Sequence, residues 1–399
     1  MRALCLFCCL AFPFSAGAET LSDEIGRLGL APVEARLAAL PAPADADRFA
    51  LGGVRFLRAI EGTFQERWAM GMTDRTGMLP LLRLPLADNP NPAAFAPAAF
   101  VGIFAHAADR MTAAQGDLAA IPATSDFGLE ISLDDIWFDV NSDGTRSAGE
   151  GIGDILGAVV TGGMDTGAAG AAPALPVVRF DVADAAWLAA YADLLNGVCA
   201  MIRAYDPTEP ITRVMSARAA MEALGPVMAD ILSGGTRNPD TFDLIAMVLA
   251  TLNQTPDTAL MAQAQSHLLA TVAQNREFWA RVAVETDNDH EWLPSDLQTS
   301  ALGIEVPKGA GTHWLAVLGD FEAVLKGQKL MPYWRVGAPA GINVAKIFTD
   351  PRPIDLAGWL QGWAALPYLE KGPLVSTENA AAFDRLTSGQ APLFAIYLN

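Results

Sequence analysis

Six oxygen-bearing residues between positions 139 and 150 have the types and spacing of a calcium-binding EF-hand loop. The loop pattern is D-x-[DN]-x-[DN]-G-x5-E, and residues 139–150 satisfy it at every fixed position. Calcium is a hard cation that takes about six to eight oxygen ligands, which side chains and backbone carbonyls of such a loop provide. The predicted ligands are Asp139, Asn141, Asp143, Thr145, Ser147 and Glu150.

The first half of the loop carries short polar side chains at alternate positions. Asp139, Asn141 and Asp143 stand two residues apart, so their oxygens can converge from one tight curve. Gly144 follows, where the loop needs a sharp turn that a Cβ atom would obstruct.

The second half completes the ligand set. Thr145 would offer its backbone carbonyl, Ser147 would bind directly or through water, and Glu150 would reach back with both carboxylate oxygens. The alternative interpretation is an acidic turn that only resembles the motif, because Asp and Asn also favour turns without a metal.

Two features distinguish this loop from a paired calcium sensor. Arg146 occupies a place where paired EF-hands usually carry an aliphatic residue, and the sequence contains no second matching loop. The preceding segment Leu129–Asp134 alternates apolar and polar residues, which predicts an extended strand rather than a helix. We therefore expect a lone loop–helix unit with a structural ion, bound at about 10⁻⁴ to 10⁻³ M as in extracellular calcium modules.

Two further polar features are candidate sites. The cluster Glu285–Trp292, which includes His290, could be another cation site or a catalytic carboxylate group, or simply a helix end followed by a solvated turn. Glu61 lies within an apolar helical stripe and could be an acid or base with a raised pKa, or a structural ion-pair partner. Its local candidate partners are Arg55, Arg58 and Arg67.

Other chemistries lack their motifs. No two of the four histidines have the spacing of a zinc helix, and the sequence contains no nucleophile elbow, phosphate loop or dinucleotide fingerprint. The formal net charge of −19 disfavours nucleic-acid binding, which depends on clustered Lys and Arg. Six tryptophans of the last third could line a groove or pack in the core: Trp279, Trp292, Trp314, Trp334, Trp359 and Trp363.

The first 18 residues have the organisation of a cleavable signal peptide. Arg2 precedes the apolar stretch Ala3–Phe14, and Ala16-Gly17-Ala18 forms a small-residue cleavage site before Glu19. Residues 1–18 contain three of the four cysteines, so the mature chain would keep only Cys199 and no internal disulfide. We expect a periplasmic or secreted protein, with no later stretch of membrane-spanning length.

Apolar periodicity predicts a mainly α fold around the loop, in which a multi-helix globular domain includes a short extended segment leading into the loop–helix unit. Residues 19–399 would form a single large helical domain, with a possible sub-domain boundary at 161–177, where Gly, Ala and Pro dominate. The main predicted helices are Asp47–Trp68, Phe100–Met111, Glu150–Val160, Val182–Tyr205, Ile211–Leu232, Thr241–Leu252, Thr258–Glu285, Thr312–Leu325, Asp355–Trp363 and Glu378–Leu386.

Several of these segments together resemble a family of secreted bacterial proteins for which no activity is established. They are Phe56–Glu61, Leu82–Pro85 with Asn89–Pro92, the loop 139–150, Asp184–Leu195, Glu285–Asp289 with Glu291–Trp292, and Tyr333-Trp334-Arg335. The resemblance implies one homologous unit over most of the mature chain with a single EF-hand-like loop.

The sequence therefore favours an exported calcium-binding protein with a structural EF-hand-like site, whose partner is the calcium ion. Two alternatives remain at this point. The protein could be a periplasmic hydrolase stabilised by calcium, or an acidic envelope protein that meets a basic partner.

Overall fold

The computed structural model describes residues 19–72, 84, 86–155, 174–225 and 239–398. The chain is mainly helical, at 59 % helix, as predicted. The helices are α1 Leu21–Leu28, α2 Leu30–Ala38, α3 Asp45–Ala69, α4 Pro97–Ala119, α5 Val182–Ala204, α6 Thr208–Leu224, α7 Pro239–Leu252, α8 Thr258–Val282, α9 Ala310–Leu325, α10 Val344–Thr349, α11 Leu356–Gln361, α12 Glu378–Leu386 and α13 Ala391–Leu398. Short 3-10 helices cover Leu133–Asp135 and Leu366–Tyr368.

The four strands form two small antiparallel ladders. In the first, β1 (Leu129–Ser132) pairs with β2 (Val177–Phe180). In the second, β3 (Ala340–Ile342) pairs with β4 (Leu369–Lys371). The extended segment expected before the loop is therefore present, and β2 is a partner that the sequence analysis did not predict.

Helix α3 packs against the start of the loop and holds it in place. Its buried apolar residues include Phe49, Phe56, Ile60 and Phe64, which share the predicted helical stripe. This stripe packs on α4 and, with α1, α2 and β1, builds the largest hydrophobic cluster of the described chain. Phe64 also contacts the ring of Phe138 edge-on, at 5.4 Å between centroids, directly before the loop.

Helix α5 joins the N-terminal and C-terminal parts of the core. Its N-terminus is capped by Asp181, whose side chain accepts the Ala183 N–H, while Asp184 accepts the Asp181 N–H in return. The helix packs on both α4 and α8, and its residues belong to three of the four buried clusters.

The same helix corrects one expectation about membrane-length segments. Within the described residues, Val182–Ala204 has the length and mean hydropathy, 1.4, of a bilayer-spanning helix. The prediction of no such later stretch was wrong on composition. However, 67 % of its apolar window is buried inside the protein, which is the environment of a core helix.

Most predicted helices are confirmed, with most ends differing by a few residues; α4 extends eight residues beyond the predicted end at Met111. The signal peptide 1–18 and most of the boundary 161–177 lie outside the described residues, as do the ends of two predicted helices. The short helices α1, α2, α10 and α13 were not predicted, because segments of six to nine residues give little periodic signal.

Candidate metal centre

The candidate loop is closed at its base by a pair of backbone hydrogen bonds. Phe138 N–H donates to the Glu150 carbonyl at 2.9 Å, and Ile152 N–H donates to the Ile136 carbonyl at 2.9 Å. The chain segments on the two sides of the loop thus form an antiparallel bridge. A helical turn follows at residues 152–155, where the sequence predicted the start of a helix.

Asp139 organises the first turn of the loop. Its Oδ1 accepts the Asp143 N–H and its Oδ2 accepts the Gly144 N–H, each at 3.0 Å. Gly144 has a φ of +74°, and Ser142 has a φ of +60°. The left-handed backbone at Gly144 explains the glycine, because residues with a Cβ atom adopt this region at a cost.

Asn141 and Asp143 are linked on the same curve. Asn141 Oδ1 accepts the Asp143 N–H at 3.0 Å, and Asn141 Nδ2 donates to Asp143 Oδ2 at 2.8 Å. The Thr145 hydroxyl and N–H both donate to Asp143 Oδ1. These bonds, first of all that of the Thr145 hydroxyl, lower the pKa of Asp143 below its usual range.

Glu150 reaches back across the loop from its far end. Its Oε1 accepts the Val140 N–H at 3.0 Å, and its Oε2 accepts the Ser147 N–H at 2.6 Å. Its side chain is buried, with 5 % exposure, although residues 142–149 are exposed. A carboxylate oxygen has two lone pairs, so these bonds leave each oxygen able to accept a cation.

The loop is also fastened to helix α3 by a clamp of two side chains. Glu61 Oε1 accepts the Asp139 N–H at 3.2 Å, and Gln65 Nε2 donates to the Asp139 carbonyl at 2.7 Å. Glu61 and Gln65 are one helical turn apart, so they meet the same backbone segment. Sequence reasoning missed this clamp, because only folding brings α3 to residue 139.

Glu61 is a structural ion-pair partner, one of the two interpretations considered for it. Its Oε2 lies 3.0 Å from Arg58 Nη1, and its side chain is only 1 % exposed. Burial raises the pKa of Glu61, and the Arg58 guanidinium offsets part of this rise. The other two arginines point elsewhere: Arg55 pairs with Asp117, and Arg67 donates to the Leu84 carbonyl.

The oxygen donors of the loop are of the type that calcium prefers, but their carboxylates are not arranged around a common metal position. In the parts of the chain that the structure describes, no group of three or more His, Cys, Asp or Glu side chains is arranged to hold a metal ion. Asp139, Asp143 and Glu150 instead satisfy N–H groups of the loop. Binding a dication at these residues would therefore require their carboxylates to move closer together.

The second candidate cluster, Glu285–Trp292, forms a turn packed against β2. Arg179 N–H donates to the His290 carbonyl at 3.0 Å, and the Arg179 guanidinium lies 3.5 Å from Asp287 and 3.8 Å from Asp289. His290 is exposed, and its Nδ1 lies 2.9 Å from Asp289 Oδ1. These contacts agree with a helix end followed by a solvated turn.

Glu285 in this turn is nevertheless strongly perturbed. Burial, and then the neighbouring Asp181 carboxylate, raise the pKa of Glu285 to about 7. Gln298 Nε2 donates to Glu285 Oε2 at 3.2 Å and opposes the rise. Acidic groups lie close together here, and their mutual repulsion disfavours the charged form of Glu285.

The tryptophans of the last third divide between core and surface. Trp279 and Trp314 are buried in one cluster, while Trp334 and Trp363 are exposed. Trp292 lines an apolar cavity, whose described lining does not include Glu61, Asp287 or His290.

Comparison of the chain with protein-family models finds no match, and comparisons with curated proteins and with solved structures find no similar chain.

Proposed function

We propose that this is an exported calcium-binding protein in which the ion has a structural role. The observation that supports the proposal is the side chain of Glu150, which is buried and reaches back across the loop to the backbone of Val140 and Ser147. This is the placement that a bidentate ligand from the last position of such a loop requires.

A structural role follows from where the loop is attached. Its base joins two buried segments, and its first ligand, Asp139, is fixed to α3 through Glu61 and Gln65. A bound ion would neutralise part of the charge of three loop carboxylates and fix the exposed residues 142–149. Mass action sets the stabilisation, which becomes large only when calcium exceeds the dissociation constant.

Terbium luminescence tests the site directly. Trp137 is 2 % exposed and lies two residues before Asp139, so its excitation should sensitise terbium bound in the loop. We expect emission from the mature protein, displacement of that emission by calcium, and its loss in Asp139→Ala. Asp154→Asn is the matched control, because Asp154 is an exposed acid just outside the loop. Absence of emission from the unmutated protein would contradict the proposal.

Export is part of the same proposal and has a separate readout. Residues 1–18 are proposed to be removed during export, so mass spectrometry of the protein secreted or released from the periplasm should find Glu19 at its N-terminus. A protein recovered only with its first residues intact would contradict this part.

A further inference from the structure

An apolar cavity, partly open to the surface, lies in the N-terminal core beside the calcium loop. Its volume is about 280 Å³, near the lower end of the roughly 300–1,000 Å³ typical of small-molecule sites. Helix α3 supplies Phe49, Val54 and Leu57, α5 supplies Leu188 and Leu195, and α13 supplies Ile396. Apolar walls of this kind suit a hydrocarbon chain or ring system.

Trp292, one of the lining residues, carries a polar group that has no hydrogen-bond partner among the described residues. The Nε1–H of Trp292 is buried, and it makes no hydrogen bond among the described residues. The neighbouring polar groups are engaged, because the Tyr397 hydroxyl donates to the Trp292 carbonyl and Asp184 accepts the Asp181 N–H. A buried donor without an acceptor is unfavourable by about 1–3 kcal/mol, which a ligand oxygen would relieve.

The charge of the cavity determines which ligand fits. The described lining contains no Lys, Arg or His, and its only ionisable groups are Asp184, Tyr191 and Tyr397. Burial raises the pKa of Asp184 well above its usual range. An anionic head group would therefore lie near an acid, with no cation among the described lining residues to pair with it, in a region of low polarity.

We propose that this cavity binds an uncharged lipid-like molecule, a hydrocarbon with one small uncharged oxygen-bearing group such as a fatty alcohol or acyl ester, with the Trp292 Nε1–H donating to an oxygen of that group. The walls bury the hydrocarbon, and the indole supplies the one directional contact. Fatty acid carboxylates are disfavoured because they bring an unpaired charge.

Two residues at the base of the calcium loop also form part of the cavity wall. Ile136 and Ile152 both line the cavity, and the hydrogen bond between their backbones closes the base of the loop. Calcium that fixes the loop would therefore hold these two walls together and tighten ligand binding, and by linkage the ligand would tighten calcium binding. This coupling, unlike the cavity itself, rests on the proposed function.

The binding experiment uses the mature protein and the uncharged fluorescent probe N-phenyl-1-naphthylamine. We expect the probe to brighten on binding and to be displaced by 1-decanol, with decanoate at least about 10-fold weaker at neutral pH, because the two competitors differ in head-group charge. No probe binding, or equal displacement by alcohol and carboxylate, would overturn the proposal.

Two glycines of α3 provide a matched pair of filling variants. A Cβ atom at Gly53, which lines the cavity, would meet only Leu188 Cδ2 at 4.0 Å, and one at Gly62, outside the described lining, would meet only Arg110 Nε at 3.9 Å. Leucine at either helical position improves helix propensity over glycine, so both variants should fold. We expect Gly53→Leu to weaken probe binding at least about 10-fold and Gly62→Leu to leave it unchanged. Equal binding by both folded variants would refute the location.

Two measurements separate the parts of the proposal. Trp292→Phe keeps a ring but removes the donor, so we expect 1-decanol to bind about 5-fold more weakly, as loss of one hydrogen bond predicts, while probe binding changes little. An unchanged affinity for 1-decanol would exclude this contact.

Calcium should lower the dissociation constant of the probe in the unmutated protein but not in Glu150→Gln. Terbium binding without this calcium effect would overturn the coupling alone, whereas probe binding without terbium binding would overturn the proposed function alone.

Discussion

Replacement of Glu150 by glutamine separates a calcium ligand from a residue that only closes a turn. The side chain is buried and accepts two backbone N–H groups, from Val140 and Ser147. Glutamine keeps one acceptor oxygen but presents its NH₂ group to the other N–H. With calcium removed by a chelator, we expect the free energy of unfolding to fall by about 1–3 kcal/mol, as for a buried donor left without an acceptor.

Calcium adds a second contribution that glutamine should abolish. For a dissociation constant of about 10⁻⁴ to 10⁻³ M and about 10 mM calcium, the unmutated protein gains about 1.4–2.7 kcal/mol. Glu150→Gln loses one negative charge and bidentate coordination, so it should gain almost nothing. The difference in stability between the two proteins should therefore grow by about 1.4–2.7 kcal/mol when calcium is added.

Urea unfolding at constant ionic strength measures this difference. Six titrations are needed, because the unmutated protein, Glu150→Gln and Asp154→Asn are each unfolded in chelator and in calcium. Asp154→Asn is the control for a nearby change of charge. Asp154→Asn should respond to calcium like the unmutated protein. If Glu150→Gln lowers stability equally with and without calcium, the residue closes an acidic turn and does not bind the ion.

Three further predictions concern other parts of the structure. The raised pKa of Glu285 means that the folded protein binds a proton at this carboxylate more tightly than the unfolded chain does. The free energy of unfolding therefore falls as the pH rises from 4.5, the usual pKa, to about 7, the pKa in the folded protein. Glu285→Gln should therefore stabilise the protein at about pH 8, by about 1–2 kcal/mol after allowance for its partial exposure, and change little near pH 4.5; equal effects at both would contradict this. Gly29 has a φ of +78°, and a Cβ atom there would lie 2.8 Å from Trp137 Cζ2, so Gly29→Ala should lower stability by about 2–4 kcal/mol in chemical unfolding. Cys199 has no exposed surface and a pKa raised by burial to about 12, so a thiol reagent should label it only after unfolding, and rapid labelling of the native protein would refute that placement.

The helical class and several element bounds could be read from the sequence because they depend on local patterns. The stripe Asp47–Trp68 predicted α3, and the alternation at Leu129–Asp134 predicted β1, since burial of one face imposes these periods. The loop was identified for a related reason. All of its proposed ligands lie within twelve consecutive residues, so their spacing alone places them on one curve.

Contacts between distant segments could not be read in the same way. The sequence offered three arginines as possible ion-pair partners of Glu61. In the folded protein Arg58 is the partner, and the other carboxylate oxygen of Glu61 accepts the Asp139 N–H. The sequence identified Glu285–Trp292 only as a polar cluster, whereas in the folded protein burial, and then the neighbouring Asp181 carboxylate, raise the pKa of Glu285. The cavity is lined by residues of α3, α5 and α13, which are far apart in the chain, so no local sequence pattern could predict it.

By itself, the sequence determined a helical chain and the candidate ligand set, because periodicity and ligand spacing are properties of neighbouring residues. Only the tertiary structure decided what holds the loop and what lies beside it. Hydrogen bonds and burial between segments far apart in the chain depend on how the helices pack, and that packing is a property of the whole fold.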